Sequence, residues 1–265
     1  MKGRLLGILV LIMPVIALVP VERRIHAERT RLKYGGARVS LAMRDRISQG
    51  MAIGLLAGFR GVVADFVWIQ NQGFFERREW LRMFRNIELV TTLQPQSVSF
   101  WNSGQWHMAW NIGYAVSVDP ANRTEAVGIK RSREWHERAR TFIERGIENV
   151  PNRYDLYFTM AWLYDQKLIK DCGDDAACKQ ERQCKAAEYF EMAAQFPDAP
   201  PHIARQWARS VEKCGDVQRA YVIWKTLWSA DRSKPHEMWN VIEREIKRLE
   251  DVLNIPDNQR VFPKP

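Results

Sequence analysis

The feature that most constrains this chain is a helical pattern that returns in the same phase after successive prolines. An aromatic residue follows six positions after Pro95 (Trp101) and six positions after Pro151 (Tyr157). Alternating β-branched runs are few, and Gly61 marks the start of stretches with apolar residues at helical spacing. The sequence therefore predicts an all-α fold built from helix pairs.

The clearest pair begins near Pro201 and fills one unit of about 34 residues. Small and bulky positions of its first helix are Ala204, Trp207, Ala208 and Val211. Gly215-Asp216 predicts the turn, and the second helix carries Ala220, Trp224 and Leu227. Because a helix pair cannot bury its apolar face alone, such a unit predicts neighbours on either side.

Residues 61–254 resemble the tetratricopeptide repeat family in this repeated phase, with a proline closing each unit. The chain is similar to bacterial membrane-anchored members of that family through Gly58-Phe59-Arg60-Gly61, Leu93-Gln94-Pro95 and Trp110-Asn111. The resemblance implies an α-solenoid of antiparallel helix pairs with a concave groove. A capping helix is expected over 236–254, and an extended tail over 255–265.

Other units are predicted with insertions between their helices. Tyr157, Ala161 and Tyr164 fit a first helix, and Ala186, Phe190 and Ala193 fit a second helix. Two stretches do not fit the unit length, and we expect them to emerge as insertions at one rim: residues 117–130 and 166–182.

The N-terminal segment, residues 1–22, predicts a membrane anchor. Leu5 to Val21 is an apolar run after a short basic head, and it ends without a small-x-small cleavage site. A cleavable signal peptide is the alternative. At about 1.5 Å per residue, the run covers about 25 Å of a hydrocarbon core of about 30 Å, so bilayer thinning, snorkelling arginines or a partner helix would have to help it span. Basic residues on both sides leave the orientation open.

Residues 23–60 form a basic juxtamembrane segment in a chain of net charge +9. Such a cluster beside an apolar run favours contact with anionic lipid headgroups. Nucleic-acid binding is not expected, because no zinc-finger spacing or RNA-binding signature is present. Gly50, Gly54 and Gly58 would form a smooth ridge on a helix, suited either to tight packing or to a second membrane-contacting helix.

Motifs of catalysis, metal binding and cofactor binding are not found in the sequence, so neither an enzyme nor a cofactor is predicted. The five histidines are scattered. His107 lies between Trp106 and Trp110 on a predicted helix, where it either contacts a ligand or is a hydrogen-bonded structural residue. We interpret four carboxylates on or near helix ends as solvated charges, with an acid/base pair among them as the alternative: Glu144, Glu148, Asp155 and Asp165.

A partner-binding groove is predicted from amides and an aromatic residue in the first helices of the early units, since first helices line the groove in this family. The candidates are Asn71, Trp101, Asn102, Gln105 and Asn111. Amides at such positions bind the backbone of an extended peptide. The alternative is that these residues are surface amides and core aromatics.

The four cysteines are predicted to form two disulfides. In the repeat frame Cys184 starts a second helix and Cys214 ends the next first helix, so the antiparallel ends should be neighbours. Cys172 and Cys178 would then pair within the insertion. Disulfides would favour the periplasm, and four free thiols in a cytosolic domain are the alternative.

These features together predict a scaffold at the bacterial inner membrane, single-pass, with repeats that bind a protein or peptide partner in the cell envelope. A permanently incorporated accessory subunit of a larger membrane complex is the second interpretation. A metal- or redox-active cysteine protein is the third, although the cysteine spacing is not that of common zinc sites.

Overall fold

The computed structural model describes Arg24 and residues 58–229 and 238–263, and within these residues the regular structure is entirely helical. The predicted all-α class is therefore confirmed. The predicted anchor, most of the basic segment, Gly50 and Gly54 lie outside the described residues. The chain divides into two compact units, one ending at Phe100 and the other beginning at Trp101.

The first unit contains two packed helices, α1 (Arg60–Glu76) and α2 (Trp80–Leu93). Both bury an apolar face, with Val67 of α1 and Val90 of α2 at 1% and 0% exposure. Gly58 has φ +87°, a backbone conformation that side chains other than glycine rarely adopt. The predicted glycine ridge is therefore wrong at Gly58, because the residue lies in a turn before α1.

The second unit is a succession of helices. They are α3 (Val98–Trp106), in this unit from Trp101 onward, a π-helix (His107–Ile112), α4 (Gly113–Ser117), α5 (Glu125–Asn149), α6 (Tyr154–Leu163), a second π-helix (Tyr164–Leu168), α7 (Ile169–Asp171), α8 (Ala176–Ala194), α9 (Pro201–Lys213), α10 (Val217–Ser229) and α11 (Trp239–Val252). Each helix packs against its neighbours: α4 on α5, α5 on α6, α6 on α8, and then α8 to α11 in sequence.

The helix pair predicted near Pro201 is confirmed by α9 and α10. Pro201 occupies the first helical position, where its missing N–H removes no hydrogen bond. Gly215 turns the chain with φ +101°. Ala208, Ala220 and Trp224 are all fully buried in the C-terminal core.

The two stretches predicted as insertions contain more helix than expected: residues 125–130 of the first belong to α5, and most of residues 166–182 are helical, whereas residues 118–124 form turns and bends. Residues 166–171 continue the preceding helix, and α8 already begins at Ala176, where the Asp175 side chain accepts from the Cys178 N–H at 3.0 Å. Thr124 likewise caps α5 by accepting from the Val127 N–H. Good N-cap residues therefore start each helix early and lengthen it.

The C-terminal segment beyond α11 is not extended, in contrast to the prediction. A 3-10 turn spans Asp257–Gln259, and Val261 and Phe262 pack on the C-terminal core. The Val261 N–H donates to the buried Glu250 carboxylate at 2.6 Å, which also accepts from the Tyr221 hydroxyl. A buried carboxylate that needs donors thus holds the tail in place.

No helix within the described ranges is long and apolar enough to cross a membrane.

Candidate functional site

A cavity of about 620 Å³ opens in the second unit where α3 and its π-helix meet α6 and the start of α9. Its volume is typical of ligand-binding clefts in proteins. The lining consists of Asn102, Ser103, Gln105, Trp106, His107, Trp110, Tyr154, Asp155, Phe158, Thr159, Trp162, Pro200, His202 and Ile203.

Two pairs of aromatic rings form much of the cavity wall. Trp106 and Trp110 stack with centroids 4.6 Å apart and planes within 5°, and Phe158 and Trp162 stack at 6.1 Å. Trp106 remains 48% exposed. Large rigid rings with an exposed face supply contact area at low entropic cost, so this wall suits binding of an apolar group.

Two amide side chains lie beside these rings. The Asn102 Oδ1 atom accepts a hydrogen bond from the Thr159 hydroxyl at 2.8 Å, which joins α3 to α6. Gln105 is only 1% exposed, and its Nε2 atom has no hydrogen-bond partner among the described residues. A buried donor without an acceptor costs about 1–3 kcal/mol, so the cavity holds an unused hydrogen-bonding group at its wall.

His107 is hydrogen-bonded to a neighbouring amide. Its Nδ1 atom lies 2.9 Å from Asn111 Nδ2. Burial lowers the pKa of His107, so the ring is neutral at pH 7. With the amide as donor, Nδ1 accepts and the ring proton is on Nε2, which fixes the tautomer.

The lining carries little charge. Among the described residues that line the cavity there is neither lysine nor arginine, and the only carboxylate is that of Asp155. That carboxylate is paired with Arg153 at 2.9 Å. The nearby Lys167 ammonium lies 5.2 Å from the centre of the Trp110 ring. The cavity is therefore suited to an uncharged ligand group.

The structure brings two of the five predicted groove residues, Asn102 and Gln105, to the cavity. Asn111 contacts it indirectly, through His107. The prediction is wrong for Trp101, which is 3% exposed and packs on Phe142 with ring centroids 4.7 Å apart. Its ring packs against α5, where Phe142 and the side-chain-free Gly146 leave room for it.

Asn71 does not belong to this site either. It lies on α1 in the first unit, 4% exposed, and neither of its amide atoms has a partner within the described part of the chain. Its position on a first helix is as predicted, but its burial corrects the expectation of an amide open to a groove.

The sequence predicted the aromatic wall of the cavity only in part. Trp106 and Trp110, like Phe158 and Trp162, are four residues apart, a spacing that puts both rings of a pair on one helix face. This spacing also occurs in helix cores. The two π-helices were missed altogether, because a one-residue expansion of a helical turn leaves no reliable pattern in apolar periodicity.

A Ser-His-Asp arrangement occurs away from the cavity. His136 Nδ1 lies 2.8 Å from Asp171 and its Nε2 lies 3.4 Å from the Ser132 hydroxyl. The Nε2 side is covered, because a Cβ atom at Gly113 would lie 3.0 Å from it. His136 is only 6% exposed, and its ring is covered on the Nε2 side. The geometry therefore fits a structural hydrogen bond between α5 and α7 better than a nucleophile with its base.

The cysteine pairing agrees with the prediction. Cys172 and Cys178 have sulfur atoms 1.92 Å apart, and Cys184 and Cys214 have sulfur atoms 1.94 Å apart, both at disulfide distance. The second pair joins the middle of α8 to the residue that follows α9; the pairing is as predicted, but Cys184 does not lie at the start of its helix because α8 already begins at Ala176. Within the described residues no cluster of histidine, cysteine or carboxylate side chains suits a metal ion.

No protein-family model matches the chain, and no curated protein is significantly similar to it.

Proposed function

We propose that this chain is a membrane-anchored scaffold whose second unit binds an uncharged segment of a protein partner. The observation that carries the proposal is the aromatic cavity beside the unpartnered Gln105 amide. Stacked rings supply apolar contact, and amides supply hydrogen bonds to a peptide backbone. Binding is favoured over catalysis because the sequence carries no catalytic motif and much of the cavity wall is aromatic.

The wider architecture is part of the same proposal. The successive packing of α4 to α11 supports a tetratricopeptide-like α-solenoid, and the apolar run Leu5 to Val21 supports a single-pass anchor. The two cysteine pairs at disulfide distance favour an oxidising compartment, the periplasm of a bacterium.

The test is affinity capture of the full chain from solubilised membranes. We compare the native sequence with Trp106→Ala, which removes the exposed cavity ring, and with Tyr114→Ala. Tyr114 is 66% exposed and is not a lining residue, so it controls for loss of any surface aromatic. A partner retained by Tyr114→Ala and reduced about tenfold by Trp106→Ala supports the proposal. Equal recovery by all three chains contradicts it.

A second candidate function is permanent membership of a larger membrane complex, with the helices as structure. An apolar stripe on α1 favours it: Val62, Phe66 and Ile69 are 50%, 64% and 67% exposed at helical spacing. Exposed apolar stripes of this kind are typical of interaction surfaces. Native size analysis separates the two functions, since one constant large assembly favours membership and a free chain with exchangeable partners favours the scaffold.

A further inference from the structure

Several hydrogen-bond donors of the cavity wall have no acceptor among the described residues. Indole nitrogens donate only, and those of Trp106, Trp110 and Trp162 have no acceptor among the described residues. Gln105 Nε2 has none either. A ligand that satisfies this wall must bring acceptors.

Three acceptors of the described lining are already engaged. Asn102 Oδ1 accepts from Thr159 and therefore presents its Nδ2 donor group. His107 Nδ1 is engaged by Asn111, and Asp155 Oδ2 accepts from Arg153. A backbone N–H that entered the cavity would have to reach one of the remaining oxygen atoms, and a buried donor without a partner is costly.

The balance of donors and acceptors indicates the kind of segment that fits. We propose that the cavity binds a proline-rich, uncharged segment of a protein partner in the polyproline II conformation. This inference rests on the proposed binding role. Proline has no backbone N–H, and polyproline II leaves its carbonyl groups without internal hydrogen bonds. Such a segment brings acceptors for the indole and amide donors and almost no donors of its own.

The rings fit the same segment. Pyrrolidine rings are compact, apolar and fixed in place, and proline-rich segments dock against aromatic grooves with little loss of conformational entropy. The exposed face of Trp106 and the neighbouring Trp162 provide such surfaces. An anionic ligand is disfavoured because no cation lines the cavity, and a sugar is disfavoured because each hydroxyl also requires an acceptor.

The proposal is tested with the full chain in lipid nanodiscs and fluorescein-labelled ten-residue peptides, by fluorescence anisotropy. One peptide is uncharged with proline at every third position, and the control peptide has alanine at those positions. We expect the proline peptide to bind about tenfold more tightly, a difference of about 1.4 kcal/mol.

Variants connect that binding to the cavity. Trp106→Ala should lower the affinity for the proline peptide about tenfold. Trp106→Phe should lower it less, because phenylalanine retains a ring. Asn102→Asp keeps an oxygen for Thr159 but replaces donors by acceptors, so it should weaken binding about fivefold or more without lowering the unfolding temperature. Tyr114→Ala, outside the lining, should leave the affinity unchanged.

The outcomes separate this inference from the proposed function. Equal affinity for the two peptides overturns the requirement for proline and leaves the binding role standing. Absence of peptide binding, together with a membrane partner whose capture depends on Trp106, overturns the inference alone. If a neutral chito-oligosaccharide binds in a Trp106-dependent manner and neither peptide does, both the inference and the protein-binding role are wrong.

Discussion

Two stretches of the second unit are built in different ways. From α8 to α10 the helices are uninterrupted, and the Cys184–Cys214 pair and the Arg219–Glu191 ion pair join one helix to another. From α3 to α7 two π-helices interrupt the regular turns, and the cavity opens beside the first of them. Local departures from α-helical geometry often accompany binding sites. The difference suggests that regular packing supplies stability and that irregular turns position the cavity side chains.

The largest expected effect on stability comes from one of two tryptophans in the irregular stretch. Trp101→Ala removes a buried ring that packs on Phe142, and we expect it to lower the free energy of unfolding by about 3–5 kcal/mol. Trp106→Ala removes an exposed ring that stacks on Trp110, so it should cost less than about 1.5 kcal/mol. Urea unfolding followed by circular dichroism measures both losses.

Partner capture completes this test, since Trp106→Ala should lose binding while remaining folded. A large loss of stability for Trp106→Ala, or a small one for Trp101→Ala, would show that the cavity wall and the core have been assigned the wrong way round.

The two disulfides give the next largest effect. Cys184–Cys214 closes a separation of 30 residues, and Cys172–Cys178 a separation of 6. On the chain-entropy model, replacing the first pair by serine should cost about 3–4 kcal/mol and replacing the second about 2 kcal/mol. Denaturant midpoints of the oxidised double variants provide the measurement, with the reduced native chain as control. Equal losses would contradict the idea that the first disulfide supports the regular stretch.

A smaller effect is expected where α5 meets Trp101. A Cβ atom added at Gly146 would lie 3.1 Å from the Trp101 ring, which is itself held in the core. Gly146→Ala should therefore cost about 1–3 kcal/mol through overpacking. Gly73→Ala on α1 is the matched control, because its new atom meets only the flexible Arg77 guanidinium at 3.2 Å. There the gain in helix propensity, up to about 1 kcal/mol, should dominate. Thermal unfolding of both variants tests whether Gly146→Ala lowers the unfolding temperature and Gly73→Ala raises it.

The fold was predictable wherever apolar spacing is regular. The pair α9 and α10 follows from Pro201, Gly215 and the buried small residues between them, and the Cys184–Cys214 pairing follows from the same frame. The lengthened helices α5 and α8 were not predicted, because Thr124 and Asp175 act as caps inside stretches that did not fit the repeat.

The site was predictable only in part, for a related reason. Asn102 and Gln105 were identified by their place on a first helix, and both line the cavity. Trp101 was assigned to the groove because it lies on a predicted first helix, but its ring packs on Phe142 in the core. The π-helix that begins at His107 changes only the phase of the residues that follow it, and apolar periodicity does not reveal such a change.

The smallest expected effect lies at Asp165, where the two stretches meet. Asp165 belongs to the second π-helix, and its side chain is 7% exposed. It accepts from Gln183 of α8 at 3.1 Å and from Lys213 of α9 at 2.9 Å. Burial acts to raise the pKa of Asp165, but these hydrogen bonds and the Lys213 charge outweigh it, so the pKa is lower than usual.

The sign of the pH dependence follows from that shift. A carboxyl whose pKa is lower in the folded state than in the unfolded chain stabilises the fold fully above the unfolded value, about 3.9, and loses this contribution as pH falls through the folded value. The native chain should therefore be more stable than Asp165→Asn at pH 7, and the difference should shrink below about pH 4. Urea midpoints of both chains at pH 7 and pH 3 measure it. A difference that stays constant over this range would mean that Asp165 connects the regular and irregular stretches by shape alone, without a contribution from its charge.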